Sequence, residues 1–86
     1  MLTGEVVRAT CGRDKDRVFF IVGEIDGFLL LADGRHRRLE NPKRKKSKHT
    51  ETQPQNDGAV AAKLVKGEKV TNKELWQALA VYREGL

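Results

Sequence analysis

Val18-Phe19-Phe20-Ile21-Val22-Gly23-Glu24-Ile25-Asp26-Gly27-Phe28-Leu29-Leu30-Leu31-Ala32 is the stretch whose reading decides the fold. It opens with five successive β-branched or aromatic residues, which suit a pleated, packed strand. Asp26-Gly27 supplies the positive φ that a two-residue hairpin turn needs, and Phe28–Ala32 returns as a second strand. Val18–Val22 is apolar on both faces, so this strand is expected to be central or strongly bent. Working outward, Glu5–Thr10, with Val6 and Val7, reads as a strand before it. A second Asp-Gly pair, Asp33-Gly34, predicts a turn into a short fourth strand over His36–Leu39. Asn41-Pro42 is expected to end the pairing, because proline cannot donate to a ladder and restricts the residue before it. Four or five short strands on tight turns predict a mainly β unit, a small antiparallel barrel.

Further along, the polar stretch 51–58 has almost nothing to bury and reads as a flexible linker. The period then changes. Ala59–Lys66 predicts two turns of helix stopped by Gly67. Thr71-Asn72-Lys73-Glu74 fits a capping box, a hydroxyl followed three residues later by a carboxylate. Leu75, Leu79 and Tyr82 follow on one helical face, so a helix is expected from about Asn72 to Glu84 with Gly85 as its stop. Trp76 projects about 100° from that face. Burial in a wide apolar stripe is expected there, with an exposed anchor for a protein partner as the alternative. The organisation predicted is 1–50 as the β unit with a basic extension, 51–58 as linker and 59–86 as a C-terminal helical segment.

Charge is concentrated. Residues 35–49 hold eight Lys/Arg (Arg35, Arg37, Arg38, Lys43, Arg44, Lys45, Lys46 and Lys48) against one acid, Glu40. The remainder of the chain brings the net charge back to +5. Clustered Lys/Arg is the footprint of a polyanion partner, because each neutralised phosphate releases condensed counterions. The alternative is a solvated run that keeps the chain soluble. A lone cysteine, Cys11, allows no internal disulfide and fits a reducing cytosol. No stretch reaches the roughly 18 apolar residues of a membrane span, and Met1–Glu5 lacks signal-peptide character. A cytoplasmic chain with no membrane partner is expected. His36 and His49 have no carboxylate or cysteine at metal spacing, and nothing around Cys11 defines a nucleophile. No enzyme activity, cofactor or metal is expected.

The segment from Gly4 to Val22 resembles a KOW motif: a glycine-led strand, a Gly/Lys-rich turn and a second apolar strand. Together with Ala32-Asp33-Gly34-Arg35 and Asn41-Pro42-Lys43-Arg44-Lys45-Lys46-Ser47-Lys48-His49, it is similar to small KOW-domain RNA-binding proteins of the kind found among archaeal and eukaryotic large-subunit ribosomal proteins. The resemblance covers roughly residues 3–50. It implies an SH3-like barrel whose first loop faces RNA, which points to Gly12, Arg13, Lys15 and Arg17. The chain departs from the family at Asp16, where glycine usually follows the lysine. Aspartate tolerates left-handed φ better than most residues, but its charge weakens phosphate attraction there.

The residues themselves support the same loop. Its guanidiniums and ammonium can grip phosphate oxygens, and Gly12 lets backbone approach closely. The other reading of Gly12–Arg17 is a hairpin loop whose alternating charges pair among themselves. Stacking residues are scarce, since Phe19, Phe20 and Phe28 read as core. Binding is therefore expected to read RNA shape and phosphates rather than base sequence. The function expected is RNA binding, to ribosomal RNA or the ribosome. The alternative is a protein-interaction adaptor that uses the C-terminal helix.

Overall fold

Val18-Phe19-Phe20-Ile21-Val22 forms the middle of the sheet. The computed structural model describes residues 3–54 and 58–84. Five strands, β1 (Val6–Ala9), β2 (Val18–Ile25), β3 (Phe28–Ala32), β4 (Lys43–Lys45) and β5 (Thr50–Thr52), make one antiparallel sheet in the order β4-β3-β2-β1-β5. β2 is central, as its two apolar faces require, and its register with β3 slips between Ile21 and Gly23. Such a bulge bends a strand and increases its twist. Asp26 (φ 51°) and Gly27 (φ 82°) make the expected left-handed turn. The sheet is not closed: β4 and β5 are its two edges.

The two faces of the sheet carry two cores. Val7, Ala9, Phe19, Ile21, Leu29 and Leu31 pack together on one side. On the other, Val6, Val18, Phe20 and Ala32 meet Leu75, Leu79 and Tyr82. Leu75 comes from α2 (Asn72–Ala78), Tyr82 from α3 (Ala80–Arg83) and Leu79 from the junction between them, and α1 (Ala59–Lys66) packs beside them through Val60, Ala61 and Leu64. The helices are therefore part of the same hydrophobic unit as the sheet. Thr71 accepts from the Glu74 N–H, and the Glu74 carboxylate accepts from the Thr71 N–H, which is the capping box. Gly67 ends α1 at φ 74°. Phe19 and Phe20 are buried as expected, while Phe28 is half-buried.

Several expectations are corrected. The fourth strand is Lys43–Lys45, not His36–Leu39. Asp33-Gly34 does not make a hairpin. Instead the Asp33 carboxylate accepts from the N–H groups of Arg35 and Arg37, curling residues 33–37 into a loop. Pairing resumes after Pro42 because that proline lies outside the strand. The segment 51–58 begins as sheet: Glu51 and Thr52 pair with β1, and the Gln53 N–H donates to the Val6 carbonyl at 2.9 Å. The Tyr82 hydroxyl then donates to the Pro54 carbonyl at 2.6 Å. Polar side chains can form an edge strand, because the ladder needs only backbone. Residues 55–57, and Gly85 as helix stop, lie outside the described residues. The terminal helix breaks at Leu79, whose backbone (φ −85°, ψ −4°) separates α2 from α3.

Candidate functional site

The loop between β1 and β2 is shaped by two left-handed residues, Gly12 (φ 83°) and Asp16 (φ 73°). Lys15 N–H donates to the Gly12 carbonyl, Arg17 N–H to that of Asp14, and Asp16 N–H to that of Ala9. These bonds curl the loop so that the Asp14 side chain points inward, where the residue is 1% exposed. Its carboxylate accepts from Arg17 Nη1 at 3.0 Å and from Arg37 Nη2 at 2.8 Å. Burial pushes the Asp14 pKa up. The hydrogen bond and charge of Arg37, and then those of Arg17, outweigh that and hold it below the ordinary carboxylate value. Asp14 is thus an ionised buried hinge joining the first loop to the loop after β3. Arg37 Nε is buried with no hydrogen-bond partner among the described residues.

A second link joins the loop to the basic run. β4 pairs with β3 in the register Leu29↔Lys45, Leu30↔Arg44 and Leu31↔Lys43. Alternation along the strand buries Lys45 and exposes Arg44. The Lys45 ammonium donates to the Cys11 carbonyl at 2.8 Å, and Thr10 N–H donates to the His49 carbonyl at 2.9 Å. So Gly12–Arg17 and Lys43–His49, some thirty residues apart in sequence, lie against each other.

The cations singled out by the sequence divide by task. Lys45 is buried, Arg37 is half-buried on Asp14, and Arg17 shares that carboxylate. Arg38 pairs with exposed Glu40 at 3.0 Å, and Lys43 is half-buried on β4. Arg13, Lys15, Arg35, Arg44, Lys46 and Lys48 are exposed, and none of these six makes an ion pair among the described residues. Gly12 is exposed at the tip between them.

Sequence reasoning missed a second feature. Trp76 is half-buried, outside the apolar core made by Leu75, Leu79 and Tyr82. The Arg83 guanidinium carbon lies 3.5 Å from the centroid of its ring, and Arg83 Nη2 donates to the Trp76 carbonyl at 2.9 Å. The Arg35 guanidinium carbon is 5.0 Å from the same centroid, and the His36 ring meets it edge-on at 5.7 Å. Beside Trp76 a cavity of about 290 Å³ opens between Arg8 of β1, Asp16 and Arg17 of the first loop, Asp33 and His36 after β3, and Arg83. The seven-residue spacing of Trp76 and Arg83, two helical turns, was a usable signal for their contact. The approach of residues 35–36 was not legible, because it depends on how the helix docks.

No protein-family model matches this chain, and no curated protein does. The function is therefore argued from the geometry. Among the described residues, no group of three His, Cys, Asp or Glu side chains is placed to hold a metal ion. No helix among them is long and apolar enough to cross a membrane. The Leu75, Leu79 and Tyr82 face of the C-terminal helix packs on the sheet, and Trp76, the alternative anchor for a protein partner, is half-buried beneath Arg83.

Proposed function

We propose that this protein is an RNA-binding module of KOW type, acting in the cytoplasm on ribosomal RNA or the assembling ribosome. One observation supports the reading above the others. Two basic segments remote in sequence are joined, by Asp14 to Arg37 and by Lys45 to Cys11, so that the loop carrying Arg13 and Lys15 lies against the segment carrying Arg44, Lys46 and Lys48. An extended group of exposed, unpaired cations suits a phosphate backbone. The kinship with SH3-like barrels is supported by the strand order, a four-strand meander with a fifth strand returning beside the first. The positive φ of Asp16 supports it too, since that backbone suits the glycine usual in the family.

The test is salt-dependent retention of labelled single-stranded RNA by the full chain. Six phosphate contacts predict that log affinity falls with log salt at a slope of about −4, near −0.7 per contact. A flat dependence, or no retention at low salt, rejects the proposal. Pelleting with anionic vesicles but not with RNA rejects it in favour of a membrane surface.

A further inference from the structure

We propose that the cavity beside Trp76 takes one unstacked nucleotide, its base on the indole and its phosphate on the forks of Arg8 and Arg17. This rests on the RNA-binding reading but assigns a separate subsite with different chemistry. The cavity, about 290 Å³, lies just below the range for small-molecule sites, roughly 300–1,000 Å³, and cannot admit a duplex. Its arginines Arg8, Arg17 and Arg83 face two aspartates, Asp16 and Asp33, so the lining is only weakly positive. It is poorly suited to gathering a polyanion by charge alone and better suited to holding a flat ring next to a single phosphate.

The aromatic platform is fixed and its cover is loose. Arg83 covers one face of the Trp76 ring and is also tied to it by the carbonyl hydrogen bond. Arg35 and His36, the other groups at the ring, are exposed, and neither side chain makes a hydrogen bond or ion pair among the described residues. A base that replaces them on the indole exchanges their ring contacts for its own and breaks no side-chain hydrogen bond or ion pair among the described residues. Arg8 uses one N–H of its guanidinium on the Asp16 carbonyl, at 2.8 Å, and Arg17 uses one on Asp14. Each guanidinium carries five N–H groups, so both forks keep donors for phosphate oxygens while remaining anchored. The Asp33 carboxylate is turned to the backbone of Arg35 and Arg37 and so holds the rim of the cavity. An unpaired nucleotide of a loop, bulge or strand end and a free mononucleotide share this chemistry, and the arms of the experiment separate them.

Trp76 is the sole tryptophan, so its fluorescence reports this cavity alone. The full chain is titrated with adenosine 5′-monophosphate, adenosine, inorganic phosphate, a single-stranded RNA and an RNA duplex, with anisotropy of labelled RNA followed in parallel. The single strand is expected to bind and quench, whereas the duplex binds without quenching. The monophosphate is expected to quench more strongly than adenosine, and phosphate not at all. Trp76→Leu, which keeps apolar volume but no π face, is expected to weaken single-strand binding about tenfold while duplex binding holds. Arg8→Gln is expected to erase the preference for the monophosphate over adenosine. Single-strand binding without quenching, or equal losses for both RNAs in Trp76→Leu, overturns the subsite and leaves RNA binding standing. Quenching by the mononucleotide but by no RNA assigns the cavity to a free nucleotide and overturns the RNA subsite. Failure to bind either RNA overturns both readings.

Discussion

Two basic regions of this molecule are built from the same residue types and differ in what holds them. In the seam between sheet and helix, Arg17 and Arg37 grip Asp14, Arg8 holds the Asp16 carbonyl, and Arg83 lies on Trp76. Along the β4 flank, Arg44, Lys46 and Lys48 stand exposed with no ion pair among the described residues. A guanidinium already immobilised by the fold loses little further rotamer entropy when a ligand arrives, so it can set position. A long side chain free in solvent adds attraction with little geometry. The comparison teaches that charge density in a sequence does not distinguish a cation that builds the site from one that uses it.

The seam depends on how closely the helix approaches, and the largest effect is expected there. Gly34 has φ 86°, and a Cβ on it would overlap the Asn72 carbonyl at the start of α2. Gly34→Ala combines left-handed strain with a backbone collision and should cost about 4 kcal/mol in urea unfolding. Gly27 has φ 82° with nothing among the described residues within 4 Å of its Cβ position, so Gly27→Ala should cost only about 1 kcal/mol. Equal costs at the two glycines would show that α2 does not rest on residue 34, and the seam would lose its foundation.

Next comes the carboxylate that joins the loops. Asp14→Asn keeps the shape but leaves Arg17 and Arg37 without a counter-charge. Removing one partner of a fully buried pair costs about 3–5 kcal/mol. Because the Arg17 and Arg37 side chains are 43% and 30% exposed, about 2 kcal/mol is expected here. Lys46→Gln on the β4 flank should stay within about 0.5 kcal/mol. A difference smaller than experimental error between these two variants would erase the distinction between building and using cations.

The flank is expected to reveal itself in binding rather than stability. Arg44, Lys46 and Lys48 changed together to glutamine should flatten the salt slope by about 2, weaken cognate and random RNA alike, and leave the urea midpoint unchanged. Arg13→Ala with Lys15→Ala, on the loop tip between Gly12 and Asp16, should instead cost cognate RNA more than random RNA, by about 1–3 kcal/mol per charged hydrogen bond lost. Equal losses for both RNAs in the second variant would reduce the loop to bulk attraction as well.

Much of the sheet was legible because its signals are local. Val18–Val22 forces a strand apolar on both faces, Asp26-Gly27 forces a tight turn, and Thr71 with Glu74 marks a helix start. The edges were not legible. Lys43–Lys45 and Thr50–Thr52 carry polar residues, and what makes them strands is the open backbone of β3 and β1 beside them. The site was half legible for the same reason. Arg13, Lys15, Arg44, Lys46 and Lys48 could be named from charge. The reversal of Lys45, Arg37 and Arg17 into structural cations needed the Cys11 carbonyl and Asp14 to be in place. Trp76 is half-buried, between the burial expected and its exposed alternative, because a helical wheel carries no trace of the loop that packs on it. Its actual surroundings come from the loop that Asp33 curls over it.

The smallest effect sharpens the comparison from the acid side, where surface pairs and the buried hinge separate. The Glu40 carboxyl falls from 4.5 to about 2, first through the hydrogen bond from Asn72 and then through that from Arg38. Glu74 falls from 4.5 to about 2, first through Lys63 and then through the Thr71 N–H. With folded values below the ordinary one, the folded state holds fewer protons than the unfolded chain across that interval. The stabilisation is full above about pH 4.5 and disappears as pH falls towards 2. Glu40 is exposed and Glu74 half-exposed, so the effect should be small and salt-sensitive. Tm followed from pH 6 to 2 should fall more steeply in the wild type than in a Glu40→Gln, Glu74→Gln double variant, with the curves converging near pH 2. The variant should keep part of the fall, because Asp14 is also held below its ordinary value and is untouched. Parallel curves would mean that the two surface pairs stabilise nothing. A variant whose Tm no longer depends on pH would mean that the Asp14 hinge contributes nothing either, which would collapse the contrast between seam and surface.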